Sequence, residues 1–198
     1  MVKYGPQTKY QWDQKKDYFL SRGHLTPNLA FLTQSEKDLT FVFTNAAPQW
    51  HKFNCGNWRI LEEAIKAYAD SVRDVYVLTG VLGQFKDTKT TNPLPFPFLL
   101  GVDKVTVPAS YWTIVFDPVL KKSVAFTADN NVGSKDKTPT TGCNSQRMTK
   151  EKGIVKCESV DQFMQQYPNA FPAKFDANKC PSNIRGNFLD RYYIGKFQ

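Results

Sequence analysis

The sequence contains no long apolar run, few histidines and few cysteines. No stretch reaches the roughly 18 consecutive apolar residues of a transmembrane helix, so we expect no membrane span. The first residues, MVKYGPQTKYQWDQKK, lack the apolar core of a signal peptide. No internal repeat or low-complexity segment is present, which argues against a repeat architecture. With 2 histidines and no C-x-x-C pair, a zinc site is only a weak alternative.

The composition is that of a globular protein with a basic surface. The 198 residues are enough for one domain with a substantial core, and we expect a single domain over residues 1–198. Hydrophobic residues make up 41% of the chain and aromatic residues 14%, which is typical of a folded chain. The formal net charge of +8 is compatible with a polyanionic partner.

Residues 17–62 carry the pattern strand, loop, strand, helix. The sequence predicts strands at Asp17–Leu20 and Thr40–Thr44, and a solvated loop at Glu36–Asp38 between them. An amphipathic helix follows, because apolar residues recur at steps of three and four: Trp58, Leu61, Ile65, Tyr68 and Val72.

The remaining residues predict further strands and one short helix, and hence an α+β fold with a mainly antiparallel sheet. Asp74–Leu82 is almost continuously apolar, which indicates a buried central strand. Prolines in Gln84–Phe98 favour an extended loop over a strand. Strands are also predicted at Lys104–Pro108, Tyr111–Asp117 and Lys122–Thr127, and a helix at Val160–Tyr167. A loop-rich lead, a lysine-bearing surface loop and a packed aromatic tail are predicted at Met1–Lys16, Gly133–Thr141 and Ile184–Phe197.

Four side chains in residues 17–62 together suggest metal-assisted phosphodiester hydrolysis. His24 is a candidate general base, because imidazole titrates closest to working pH. Asn54 and Glu62 offer oxygen ligands to magnesium, which usually takes one or two protein ligands. On one regular helix their backbones would lie about 12 Å apart, so we expect Glu62 to act through a metal-bound water. Arg22 offers a planar cation suited to a phosphate or a leaving oxygen. Taken singly, a histidine such as His24 is more often an ordinary surface residue, an asparagine such as Asn54 an N-cap, and a glutamate such as Glu62 a solvated side chain. The inference therefore rests on their order and spacing together.

That order lies in three segments: SRGH at 21–24, TNAAPQ at 44–49, and NCGNW at 54–58 followed by Glu62. It resembles the DNA/RNA non-specific endonucleases, the ββα-metal nucleases that include endonuclease G. The family pattern is D-R-G-H, then T/S-N-x-x-P-Q, then N-x-x-x-W-x-x-x-E. Weaker similarity continues through Val77–Gly83, Pro108–Asn131 and Glu158–Phe163, and the chain looks closest to the secreted animal branch.

The resemblance implies a ββα-metal site and a magnesium-dependent, sugar-non-specific endonuclease, with manganese as a substitute metal. It assigns His24 to the general base, Asn54 to the sole direct protein ligand of the metal, and Glu62 to the carboxylate that holds the hydrated metal. It places Arg22 at the phosphate, and it gives Asn45 a part in shaping the site. The partners it implies are DNA and RNA, without sequence preference.

The chain departs from the family pattern at three places. Ser21 replaces the usual aspartate, and Lys66 stands where many members carry an arginine that contacts the substrate phosphate. No arginine precedes Arg22, although family members usually supply one from an upstream segment. We therefore expect the chain to lack its N-terminal part, including the signal peptide of a secreted protein. The lost arginine favours one alternative: a nuclease-like nucleic-acid-binding protein with little turnover.

The 4 cysteines are Cys55, Cys143, Cys157 and Cys180. In a chain that resembles secreted enzymes they permit up to two disulfides, and all three pairings stay open. The three late cysteines lie in loop-like surroundings, so we expect at least one bridge among them. Cys55 is expected to be a packed thiol at the start of the helix.

Overall fold

The computed structural model describes residues 19–85, 95–97, 104–131 and 149–170, and it confirms the predicted α+β class. The strands are β1 (Leu20–His24), β2 (Ala46–Trp50), β3 (Tyr76–Leu82), β4 (Pro95–Pro97), β5 (Lys104–Thr106), β6 (Ser110–Asp117), β7 (Lys122–Asp129) and β8 (Val155–Glu158). The helices are α1 (Gln34–Leu39), α2 (His51–Phe53), α3 (Arg59–Ser71) and α4 (Val160–Gln166). No helix within these ranges is long and apolar enough to cross a membrane.

Strands β1 and β2 form an antiparallel two-stranded ribbon, in which His24 lies opposite Ala46. The predicted strand at Thr40–Thr44 is wrong, because β2 begins only at Ala46. Of the predicted strand Asp17–Leu20, the first two residues lie outside the described ranges, and β1 begins at Leu20 and continues through His24. Strand β2 contains Pro48, which lacks a backbone N–H and is tolerated in a strand only at a free edge. This composition does not show the alternation of a half-buried strand, so the sequence pattern missed β2.

Helix α1 occupies the region between the two ribbon strands where the sequence predicted a solvated loop at Glu36–Asp38. Thr33 begins this helix with a capping box: its side chain accepts the backbone N–H of Glu36, and the Glu36 carboxylate accepts the N–H of Thr33. A single 3-10 turn at Phe43–Asn45 then leads into β2.

The amphipathic helix is confirmed as α3. Its buried face contains Leu61 and Tyr68, as the spacing predicts, together with Ala64, while the predicted Ile65 is partly buried. The short helix predicted at Val160–Tyr167 is confirmed as α4, which begins with a second capping box, between Ser159 and Gln162.

Four strands form an antiparallel sheet in the order β3-β6-β7-β8. The predicted strand Tyr111–Asp117 and its returning partner Lys122–Thr127 are confirmed as the β6–β7 hairpin. The buried Asp117 carboxylate closes this hairpin, because it accepts the backbone N–H groups of Val119 and Leu120 and the hydroxyl of Tyr68. Helix α3 is thereby tied to one end of the sheet.

Two further predictions are wrong: the buried central position of the strand in Asp74–Leu82, and the purely loop-like structure of Gln84–Phe98. Asp74–Leu82 contains β3, but β3 lies at the edge of the four-stranded sheet, and Tyr76 is 69% exposed. An apolar run indicates burial on both faces mainly in parallel sheets, whereas this sheet is antiparallel. Within Gln84–Phe98, residues Pro95–Pro97 form β4 and pair with β5, because a two-stranded ribbon leaves free edges that tolerate proline. The predictions for Met1–Lys16, Gly133–Thr141 and Ile184–Phe197 lie outside the described residues.

Aromatic side chains fill the space between the ribbon, α3 and the sheet. Trp58 and Phe53 lie with ring centroids 5.6 Å apart, and Tyr111 of β6 lies 5.7 Å from Trp58. These three side chains and Trp50 are all at most 1% exposed. The chain on both sides of Asn54 therefore rests on a packed core.

Candidate active site

His24 ends strand β1, and its ring forms a T-shaped contact with the Phe41 ring at a centroid distance of 4.5 Å. Its Nε2 atom is buried and has no hydrogen-bond partner among the described residues. Burial lowers the pKa of His24, and the positive charge of Arg22 lowers it further. The imidazole is therefore neutral near pH 7, with one nitrogen able to accept a proton.

Arg22 lies two residues before His24, so the alternation of a strand places both side chains on the same face of β1. The Arg22 guanidinium carbon lies 5.3 Å from the centroid of the Phe41 ring, a cation–π contact. Phe41 thus touches both candidate catalytic side chains. The sequence analysis missed this role, because a contact across the loop between the ribbon strands leaves no periodic signal.

Asn54 does not lie on the regular helix that the sequence predicts. Residues Asn54–Trp58 form a π-type turn between α2 and α3, and Gly56 within it has a non-helical backbone (φ −98°, ψ −121°). The separation of about 12 Å between Asn54 and Glu62, which assumes one regular helix, does not apply across this kink. The Asn54 side chain instead faces the ribbon, where its Nδ2 donates to Ser21 Oγ at 2.9 Å.

A turn far along the chain supports this kinked segment. The buried Asn57 side chain donates to the backbone oxygens of Thr149, at 2.7 Å, and of Gly153. A Cβ atom on Gly56 would lie 2.7 Å from the backbone oxygen of Lys152, so this position requires glycine. The Lys52–Glu151 ion pair, at 3.1 Å, adds a contact beside them.

Glu62 lies on the first turn of α3, close to the aromatic core. Burial raises the pKa of Glu62 to about 8, and the charge of Glu63 adds to this, while Arg59 and the Trp58 indole oppose it. Burial and the nearby Glu62 also raise the pKa of Tyr111. A carboxyl whose ionised form is disfavoured in this way gains stability from a neighbouring cation.

Lys66 is one helical turn beyond Glu62, and its ammonium group bonds both carboxylate oxygens of Asp70, at 2.9 and 2.7 Å. Glu62 and Lys66 line a cavity of about 380 Å³ between α3 and β3. Leu25 and Thr26, which directly follow His24, also line this cavity. The cavity therefore brings Glu62 and Lys66 to the segment that leaves β1.

Asn45 braces the loop that follows His24. Its Nδ2 donates to the backbone oxygens of Thr26 and Thr40, each at 2.9 Å, and its Oδ1 accepts the N–H of Thr26 at 2.9 Å. Each of these side-chain bonds goes to backbone. The Asn45 side chain therefore fixes the backbone around His24 and so helps to shape the site.

Replacing Asn45 with alanine should lower the stability of the fold around His24. Three partly solvated hydrogen bonds are lost, so we expect a cost of about 1–2 kcal/mol and a melting temperature lower by several degrees. Thermal unfolding followed by circular dichroism measures it, with Asn28→Ala as the matched control. An unchanged melting temperature with a large loss of turnover would instead assign Asn45 a direct contact with substrate.

A family model described as DNA/RNA non-specific endonuclease matches residues 3–163. This chain belongs to that family. It is 36% identical over 124 residues to the salivary endonuclease of Lutzomyia longipalpis, an alignment that covers 61% of this chain and 29% of that protein. It is 31% identical over 162 residues to a nuclease of Syncephalastrum racemosum, an alignment that covers 74% of this chain and 51% of that nuclease.

Two further similarities have lower coverage or lower identity. The mitochondrial nuclease EXOG of Danio rerio is 30% identical over 97 residues, which covers 48% of this chain and 28% of that protein. A chain in the crystal structure of the EndoG/EndoGI complex matches with a TM-score of 0.46 and 23% identity, over 66% of this chain and 60% of that chain. The chain thus spans between about a quarter and a half of the length of the curated relatives it matches.

Asn54 and Glu62 fit the divalent cation that the endonuclease family implies. Mg²⁺ prefers oxygen ligands, keeps several of its waters and needs few protein ligands. Asn54 supplies a neutral oxygen, and Glu62 supplies a carboxyl whose ionisation a cation would favour. Within the described residues, no group of three or more His, Cys, Asp or Glu side chains could hold a metal, so those residues offer no such zinc site.

Cys55 is exposed, so its prediction as a packed thiol is wrong. Its sulfur lies 3.5 Å from both ring nitrogens of His51, because the π-type turn directs the Cys55 side chain away from the core. Cys157 is buried in β8, at 4% exposure. The disulfide pairings stay predictions, since Cys143 and Cys180 lie outside the described residues.

Proposed function

We propose that this chain is a magnesium-dependent endonuclease that hydrolyses phosphodiester bonds in DNA and RNA without sequence preference. The observation that carries the proposal is His24: a neutral imidazole with a buried, unpartnered nitrogen, beside Arg22, in the motif of the endonuclease family. A base next to a cation is the arrangement that in-line attack of water on a phosphodiester needs.

In this mechanism a ring nitrogen of His24 takes a proton from a water molecule. The water oxygen forms a bond to phosphorus while the bond from phosphorus to the 3′ oxygen breaks, which leaves a 5′-phosphate. The departing 3′ oxygen takes a proton from solvent water and becomes a 3′-hydroxyl. Arg22 stabilises the negative charge on the phosphate oxygens. Its contact with Phe41 limits the positions that the guanidinium can take before substrate arrives.

Asn54 and Glu62 would hold the cation, Asn54 directly and Glu62 through the hydration shell. When bound, Mg²⁺ offsets the charge that develops on the phosphate and the departing oxygen, and Mn²⁺ can replace it. Lys66 is proposed to contact the phosphate of a neighbouring nucleotide. Because Lys66 is paired with Asp70 in this structure, that contact requires the ammonium group to exchange a carboxylate for a phosphate.

Nicking of supercoiled plasmid, and degradation of single-stranded RNA, test the proposal directly. We expect cutting with Mg²⁺ or Mn²⁺, no cutting with excess chelator, and no preferred cleavage sequence. Affinity measured in Ca²⁺ should fall steeply as salt rises, because binding rests on phosphate contacts. A protein that binds with this salt dependence but does not cut would instead be a nuclease-like nucleic-acid-binding protein.

We also propose that the protein is secreted and that its late cysteines form at least one disulfide. The similarity to a protein named as a salivary endonuclease supports secretion. The burial of Cys157 in β8 is compatible with a bridge from that strand.

The rate of cutting should rise with pH through a midpoint below 6.5. Only the neutral imidazole accepts a proton, and the pKa of His24 is lowered by burial and by Arg22, so the active form dominates already at mildly acidic pH. The profile of kcat/KM, which reports the pKa values of the substrate-free enzyme, is measured at saturating Mg²⁺, because protons and metal compete for Glu62. A midpoint well above 6.5 under those conditions would contradict a His24 base.

A further inference from the structure

Ser21 stands where the family pattern has aspartate, and its hydroxyl joins the ribbon to the segment that carries Asn54. Ser21 Oγ lies 3.2 Å from the backbone oxygen of Gln49 and 2.9 Å from Asn54 Nδ2. Ser21 and Gln49 are also opposite each other in the β1–β2 register. One hydroxyl therefore bridges a strand pair and a proposed metal ligand.

The chemistry of these three groups allows one assignment of protons. A backbone carbonyl only accepts, so the single hydroxyl proton of Ser21 points to Gln49. The Ser21 oxygen can then only accept from Asn54, which means that the NH₂ group of Asn54 faces Ser21. If the Asn54 amide were rotated by half a turn, two acceptor oxygens would compete for one proton. The Asn54 Oδ1 atom is therefore directed away from Ser21, and no described group donates to it.

Both ends of this bridge are anchored. Buried Asn130 fastens β2, since its Oδ1 accepts the N–H of Trp50 at 2.9 Å and its Nδ2 donates to the Pro48 oxygen at 3.0 Å. On the other side, Asn57 and Gly56 lock the π-type turn onto residues 149–153. A hydrogen bond between two fixed backbones holds the orientation of a side chain better than one between mobile loops.

We propose that Ser21 is a positioning residue that orients Asn54 Oδ1 for the divalent cation. The proposal rests on the proposed function, in which Asn54 is the direct ligand. An aspartate at this position could also accept from Asn54, but it would set a carboxylate against the Gln49 carbonyl with no proton between them. Serine supplies both the donor and the acceptor, at the loss of one negative charge near the cation.

The test measures Mn²⁺ binding to the whole chain without substrate, from the electron paramagnetic resonance signal of free Mn²⁺. Removing a group that orients a metal ligand typically weakens affinity by about 10- to 100-fold, so Ser21→Ala should weaken Mn²⁺ binding at least about tenfold. Ser21→Thr, which keeps the hydroxyl, should restore most of it. Thr127→Ala on β7 is the control: it removes a hydrogen bond of 3.2 Å to Glu158 on β8 and should leave Mn²⁺ affinity unchanged.

Asn54→Ala separates failure of this inference from failure of the proposed function. If Asn54→Ala weakens Mn²⁺ binding and Ser21→Ala does not, Asn54 is a ligand that needs no orienting group, and the inference is overturned. If Asn54→Ala has no effect, the metal assignment fails and the inference fails with it. Should Ser21→Ala not fold, Ser21→Cys keeps the shape with a weaker acceptor; full Mn²⁺ affinity in that folded variant would also overturn the proposal.

Discussion

Replacing His24 with alanine should reduce plasmid cutting by about 10²- to 10⁴-fold, the usual contribution of a general base. The loss should appear in kcat, because His24 acts on water and adds little to phosphate affinity. Binding of a DNA duplex measured in Ca²⁺ should therefore remain close to that of the unmodified chain. Added imidazole should restore part of the activity, since the variant leaves a space beside Phe41 into which a free base can diffuse.

The chain provides a matched control in its other histidine. His51 begins α2, stacks on Phe19 at a centroid distance of 4.2 Å and contacts Cys55, so His51→Ala also removes an imidazole that packs on a phenylalanine. It should cut nearly as fast as the unmodified chain. If His24→Ala cuts as fast as the unmodified chain, or if imidazole rescues neither rate nor pH profile, His24 is not the base.

Replacing Asn54 with alanine should reduce cutting by about a hundredfold or more, because the oxygen that places the cation is lost. The dependence on metal should change as well: a higher Mg²⁺ concentration should be needed for half-maximal rate. The Asn54 side chain makes one hydrogen bond to a described residue, to Ser21, so the melting temperature should change little. A titration of the cutting rate against Mg²⁺ concentration gives both quantities.

Cys55→Ala is the control for Asn54, since it truncates the adjacent, exposed side chain on the same turn. Its rate and Mg²⁺ dependence should match those of the unmodified chain. An Asn54→Ala protein that retains the Mg²⁺ dependence of the unmodified chain and loses only kcat would assign Asn54 to substrate contact, and the cation would then need another ligand.

Local patterns predicted the elements whose side chains report burial directly. Helix α3 follows from Leu61 and Tyr68 at helical spacing, and the β6–β7 hairpin follows from two mainly apolar runs separated by a turn at Pro118. Strand β2 and helix α1 were missed: a strand that contains proline and a helix of only six residues show neither a strand pattern nor a helical spacing of apolar residues. The edge position of β3 depends on which strands pair, and composition does not encode that.

The identity of the candidate residues was predictable from motif spacing, but most of their partners were not. Phe41 contacts both His24 and Arg22, and Ser21 contacts Asn54, across loops that set no periodic pattern. The pKa directions of His24 and Glu62 depend on how deeply each group is buried, which only the assembled core determines.

The turn at Thr149–Gly153 has a consequence for when the protein can become active. Every proposed catalytic residue lies before residue 67, yet Asn57 finds its two backbone acceptors only in that late turn. A nascent chain that has not yet reached Gly153 carries the complete catalytic sequence without the support that fixes the bend after Asn54. In the proposed mechanism, competence to cut nucleic acid therefore requires that synthesis has passed Gly153, so a ribosome-bound fragment that ends earlier exposes the motif before it has a formed site.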